Sequence, residues 1–139
     1  MFNPFKTKPQ KPKSLGQLGE EQAQKEYKKR GYKIIAKNEY NKKGKRLGEI
    51  DFIAKNKHSI VFVEVKTRTM GLDRFGKGVE SVNIYKQQKI LRAVKMYFLR
   101  KPKMLELKPQ IDVCVIEYSE FDKTFKPAII IPNAVEDWS

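Results

Sequence analysis

Residues Gly48–Arg68, GEIDFIAKNKHSIVFVEVKTR, contain two runs of alternating character around a polar centre. A period of two marks extended strands, and KNKHS at 55–59 reads as the turn of a hairpin. On the first strand Glu49, Asp51 and Ile53 share one face, with Ile50, Phe52 and Ala54 on the other. On the second, Ile60, Phe62, Glu64 and Lys66 oppose Val61, Val63 and Val65. A turn centred between Lys57 and His58 sets Lys55 against Ile60, Ile53 against Phe62, and Asp51 against Glu64. A slip of one residue would mix charged and apolar side chains on both faces, so the pattern resists it.

Cross-strand neighbours have Cβ atoms about 4.5–5.5 Å apart, and like charges there are destabilising. At about 5 Å and an effective dielectric near 20, two carboxylates repel by about 3 kcal/mol. Three things can offset this: protonation of one carboxyl, the ammonium of Lys66 on the same face, or a divalent cation between the two acids. A surface salt-bridge network is the plain alternative. The apolar partners on both faces favour chemistry, because they describe a sheet covered on both sides with acids at its end.

The chain of 139 residues suits one domain, and 40% hydrophobic content supports a core. A formal net charge of +14 points to a polyanionic partner. Nucleic acid is favoured over a membrane, because no segment pairs a basic helical face with a strong apolar one. Cys114 is the single cysteine and lies in an apolar strand pattern, so it reads as a buried thiol in a reducing cytoplasm. His58, the single histidine, falls in the turn, which excludes histidine-based zinc sites and catalytic triads. No run approaches membrane-spanning length.

Outward from the hairpin, residues 1–13 read as a basic mobile tail, and 14–139 as one domain. A first helix opens at Ser14, with Gln17 completing a capping box and Gly31 supplying the stop. Gly16, Glu20, Ala23 and Tyr27 follow helical spacing on it, which turns Glu20 toward the body of the domain and leaves Glu21 in solvent. YKIIAKNEY at 32–40 reads as a strand. NKKGKR at 41–46 reads as a basic loop that either keeps the hairpin soluble or, through Lys42, Lys43, Lys45 and Arg46, tracks a phosphate backbone, with Arg68 at the end of the hairpin a further candidate contact. Residues 69–80 lack periodicity and read as a flexible connection or lid. A second helix runs from Asn83 to Arg100, burying Ile90, Leu91, Val94, Tyr97 and Phe98, with Lys86 leaning toward that side. Strands follow at 111–118 and 125–131, the latter confined to an edge by Pro127. Val135 and Trp138 in the tail read as packing back onto the body. The α-β-β-β-α-β-β order gives an α/β fold with one central mixed sheet flanked by helices.

A helix bearing an acid, an Asp on one strand and Glu-x-Lys on the next resemble the PD-(D/E)xK nuclease core. More closely, GQLGEEQAQKEYKKRGYKIIAKN, GEIDFIA, VFVEVKTR, Lys86 and IDV resemble the YraN-like family, grouped with endonucleases akin to archaeal Holliday junction resolvases. The resemblance spans residues 14 to about 135. It implies a single restriction-endonuclease-like domain and a hydrolase cutting phosphodiester bonds in DNA, branched or structured DNA in repair or recombination included. It further implies that Asp51 and Glu64 hold Mg²⁺ or Mn²⁺ with the carbonyl of Val65, and that Glu20 binds the metal directly or through water. Lys66 would orient the attacking water or steady the phosphate, and Lys86 would contact phosphate. Gln110 stands where the family pattern leads one to expect Arg. Junction-cutting relatives work as dimers, which suggests a homodimer. The alternative reading is a nucleic-acid binding module, for DNA or RNA, that keeps the nuclease scaffold without turnover.

Overall fold

A computed structural model describes residues 11–37, 50–70 and 84–135. Helix α1, Leu15–Lys29, begins as the sequence predicts. Ser14 Oγ accepts the Gln17 N–H at 3.1 Å and the Gln17 side chain accepts the Ser14 N–H at 2.9 Å, so two N-terminal donors are satisfied reciprocally. At its other end Gly31 takes φ +93°, which places the Gly31 N–H on the Lys28 carbonyl and the Tyr32 N–H on that of Tyr27. This is the Schellman arrangement, and glycine adopts it without a Cβ penalty.

The sheet contains β1 (Lys33–Lys37), β2 (Phe52–Lys55), β3 (Ser59–Met70), β4 (Lys108–Ser119), β5 (Thr124–Phe125) and β6 (Ile129–Ile131). Its order is β1-β2-β3-β4, and both β5 and β6 pair with the far side of β4. All pairings are antiparallel except β3 with β4. A parallel pair needs a crossover, which here is helix α2 (Ile84–Arg100) followed by a short 3-10 helix (Pro102–Glu106). The hairpin register is the one read from the sequence, with Lys55 opposite Ile60 and Ile53 opposite Phe62.

Three boundaries differ from the sequence reading. Thr69 and Met70 belong to β3 rather than to a flexible connection, because they continue the ladder opposite Tyr118 and Ser119. β4 likewise begins early, at Lys108, opposite Ser59. The single strand expected over 125–131 is two, because Pro127 has no N–H to donate: β5 pairs at Tyr118–Ser119 and β6 at Val113–Val115. The expected first strand is confined to Lys33–Lys37 within the description; residues 38–40, the loop 41–46, residues 71–83 and Trp138 lie outside the described residues.

Both faces of the sheet are covered. On one, Ile53, Ile60, Phe62 and Ile111 pack with Ile90, Ala93, Val94 and Tyr97 of α2, joined by Val135. Phe62 meets Tyr97 and Phe98 edge to face at 5.5 Å each, contacts that add about 0.5–1.5 kcal/mol apiece beyond burial. On the other face Phe52, Ala54, Val61, Val63, Cys114 and Ile116 pack with Ala23 and Tyr27 of α1. The buried stripe of α1 is Gly19, Ala23, Gln24 and Tyr27, while Gly16, expected on it, is exposed. Ile50 was expected beside Phe52 and Ala54 but packs on the α2 side, so alternation is reset between Ile50 and Phe52.

At Gly19 a methyl group would lie 1.9 Å from Thr67 Oγ1 and 2.9 Å from its Cβ. Gly19→Ala is therefore expected to destabilise the fold by about 1–3 kcal/mol in urea unfolding. Thr67→Ala in that background should recover part of the loss.

Candidate functional site

Strand β2 begins only at Phe52, opposite Val63, whereas β3 runs on past that point. Asn56 and Ser59 bond as a pair at the turn, so every second pair along the hairpin exchanges hydrogen bonds, and Ile50 would be next to accept from Val65. The chain does something else. The Asp51 N–H donates to the Val63 carbonyl at 2.9 Å although Phe52 is the residue opposite Val63, so two successive residues face one. That is the signature of a bulge, and it accounts for Ile50 changing faces. The Val65 N–H then donates to Asp51 Oδ2 at 2.6 Å.

Asp51 is thus bonded to both residues that flank Glu64. Asp51 is 4% exposed and Glu64 6%, so two carboxylates are buried where β2 gives way. The Val65 N–H offsets part of the cost for Asp51. Glu64 is not isolated, yet its Oε2 is buried and accepts no hydrogen bond among the described residues. By strand alternation Glu64, Lys66 and Arg68 form a row on the face of Phe62, with Lys66 and Arg68 half-buried. Val113, Val115 and Glu117 of β4 stand beside them in register.

Glu20 is half-buried on α1, next to Gly19, which approaches Thr67 on the opposite face of the sheet from that row. Among the described residues no three His, Cys, Asp or Glu side chains gather as a metal site. Glu21 is bonded to Lys13, whose ammonium holds its carboxyl below the usual range. Lys42, Lys43, Lys45, Arg46 and the side chain of Lys86 lie outside the described residues.

The sequence reading missed a third buried acid. Asp112, 2% exposed, accepts from the Tyr27 hydroxyl at 2.5 Å, Gln110 Nε2 at 2.8 Å and the Asn133 N–H at 3.2 Å. It ties α1, β4 and the turn after β6 together. Its signal was the polar Asp within the apolar run IDVCVI, and Gln110 is one of its donors.

Residues 19–116, from α1 to near the end of β4, match the sequence model of Uncharacterised protein family UPF0102, the YraN family. The chain belongs to this family. A UPF0102 protein of Caldanaerobacter subterraneus subsp. tengcongensis is 38% identical over 122 residues, covering 88% of this chain and 94% of the relative. One of Alkaliphilus oremlandii is 40% identical over 114 residues, covering 82% and 92%. The matched UPF0102 segment includes Glu20, Asp51, Glu64, Lys66, Lys86 and Asp112. No helix among the described residues is long and apolar enough to cross a membrane.

Two predictions follow from the buried polar groups. Tyr27→Phe leaves Asp112 one donor short and should cost about 1–3 kcal/mol in chemical denaturation. Burial, and then the Asp112 charge, push the Cys114 thiol up to about 12, while burial followed by the bond to Asp112 raises Tyr27 as well. A folded-state value above the unfolded one gives stability that is complete below about pH 8.5 and is lost as pH rises toward the folded value. Wild type should therefore lose stability relative to Cys114→Val between about pH 9 and 11, by about 1–3 kcal/mol. Equal losses in both proteins would contradict the assignment.

Proposed function

We propose that this UPF0102 protein is a divalent-metal-dependent endonuclease that hydrolyses phosphodiester bonds in DNA, branched or structured DNA being its substrate class. The observation that carries the reading is the pair of buried carboxylates, Asp51 just before the start of β2 and Glu64 between the two residues that Asp51 bonds, with Lys66 two residues beyond Glu64. The resemblance to the PD-(D/E)xK core and the formal net charge of +14 support it.

The donor set fits a hard cation. Carboxylate oxygens are the ligands Mg²⁺ and Mn²⁺ prefer, and the pair offers carboxylate oxygens. Asp51 and Glu64 would hold the ion with the Val65 carbonyl. Once bound, it would supply positive charge against the scissile phosphate and acidify a water molecule. In hydrolysis the water gives up a proton to solvent as its oxygen bonds to phosphorus. The bond to the leaving deoxyribose oxygen breaks, that oxygen takes a proton from solvent, and negative charge grows on the phosphoryl oxygens meanwhile. Lys66, on the row of Glu64, adds fixed positive charge for that moment, and Arg68 extends it along the strand.

One observation favours a second reading, a binding module without turnover: no third acid joins the pair among the described residues. Incubation with plasmid, flapped and four-way DNA in Mg²⁺ or Mn²⁺ separates the two. Asp51→Asn keeps an acceptor for the Val65 N–H, so a loss there reports chemistry rather than folding. We expect Asp51→Asn and Glu64→Gln to lose about 100-fold or more in cleavage, on the scale of removing a transition-state contact. Glu20→Gln, on the other face, should lose less than about tenfold. Calorimetry should show Mn²⁺ uptake by wild type that Glu64→Gln abolishes. Absence of both cleavage and uptake, with DNA binding intact, would leave the binding module standing instead.

A further inference from the structure

The hairpin turn lies at the other end of the sheet from Asp51 and Glu64. Beside it is an open depression of about 580 Å³ lined by Gly31, Lys33, Lys55, Asn56, Lys57 and His58. No acidic side chain lines it, and among the described residues Lys33, Lys55 and Lys57 make no ion pair. The exposed Lys108 adds a further cation alongside, because its N–H donates to the His58 carbonyl at 2.9 Å. The turn itself is fixed. Asn56 Oδ1 accepts the N–H groups of His58 at 2.9 Å and Ser59 at 2.8 Å, and the bond from Lys108 pins the turn to β4. At the neighbouring end of α1, the left-handed bend at Gly31 leads the chain into Lys33.

Cations gathered on a fixed surface without acids repel one another, and an anion that bridges them relieves the repulsion and releases counterions. The depression is concave and has no apolar side chain among its lining residues, whereas a membrane-surface site needs an apolar face to insert. At about 3.3–3.4 Å per strand residue, the five steps from Asp51 to Asn56 span about 17 Å. One strand of a duplex advances about 3.4 Å per nucleotide, so the depression stands about five nucleotides from the carboxylates.

We infer that Lys33, Lys55 and Lys57, with His58, form a second nucleic-acid backbone contact that holds the duplex about five nucleotides from the cleavage point. The inference rests on the reading of the protein as one that acts on nucleic acid. It assigns positioning to the turn end of the hairpin and chemistry to the other end.

The test is fluorescence anisotropy with a labelled duplex of about 20 base pairs, titrated between about 50 and 200 mM salt. Lys33→Ser, Lys55→Ser and Lys57→Ser combined should reduce the slope of log K against log salt by about 2–3, at about 0.9 per phosphate contact, and weaken binding at least about tenfold. A control combining Lys25→Ser, Lys95→Ser and Lys123→Ser removes the same charge from exposed positions outside the depression and should change both much less. If wild type binds but the two triple variants behave alike, the local contact is overturned and the nuclease reading survives. If wild type binds no DNA, both fall. Binding to phosphatidylglycerol vesicles in place of DNA would also overturn the contact, in favour of a membrane surface.

Discussion

Strand β3 is paired with β4 along all of its length, but on its other side β2 accompanies it only as far as Val63. From Val65 onward its backbone donors on that side need another acceptor, because a buried N–H left without one costs about 1–3 kcal/mol. The Asp51 carboxylate supplies it for Val65. That one bond fixes the direction of Asp51, requires the bulge that lets β2 leave the ladder, and puts an acid beside Glu64. The parallel β3–β4 pair imposes the rest. It needs a crossover helix and cover on both faces, and α2 and α1 provide them.

Buried acids in this domain are of two kinds. Asp112 has three neutral donors converging on it from α1, its own strand and the turn after β6, so it works as a tie within the fold. Asp51 and Glu64 instead share one end of a sheet with Lys66 and Arg68. A carboxylate saturated by neutral donors has little left to offer an external cation. A pair held side by side gains from one.

The sequence disclosed the hairpin and its register from Phe52 to Lys55, because alternation over two strands admits only one pairing. It also disclosed both ends of α1, where Ser14, Gln17 and Gly31 each have a specific backbone task. It did not disclose the bulge at Asp51, which leaves the residue order unchanged and shows only in Ile50 joining the α2 side. Nor did it place the buried stripe of α1 correctly, which passes through Gly19 rather than Gly16. Helical spacing allowed a stripe through Gly16, but the approach to Thr67 requires a residue without a side chain, and only Gly19 stands at that point. The long reach of β3 and β4 was hidden because Thr69, Met70 and Lys108 are strand residues by virtue of their partners rather than of any local pattern.

Charge is distributed in a way that the formal total conceals. Among the described residues three acids, Asp51, Glu64 and Asp112, are buried, while no Lys or Arg is. Among the described residues the buried charged side chains are therefore all acidic, and the exposed ones are the more cationic for it. Such a surface draws a polyanion in from a distance, yet the carboxylate pair repels a phosphate that comes close. The two tendencies are reconciled where positive charge stands next to the acids, as Lys66 and Arg68 do on the row of Glu64. On the proposed function, attraction would bring the backbone onto the protein, and the acid pair would admit a phosphate only where a cation offsets it. On that reading, the acid pair beside the start of β2 becomes a place of selection on a cationic surface.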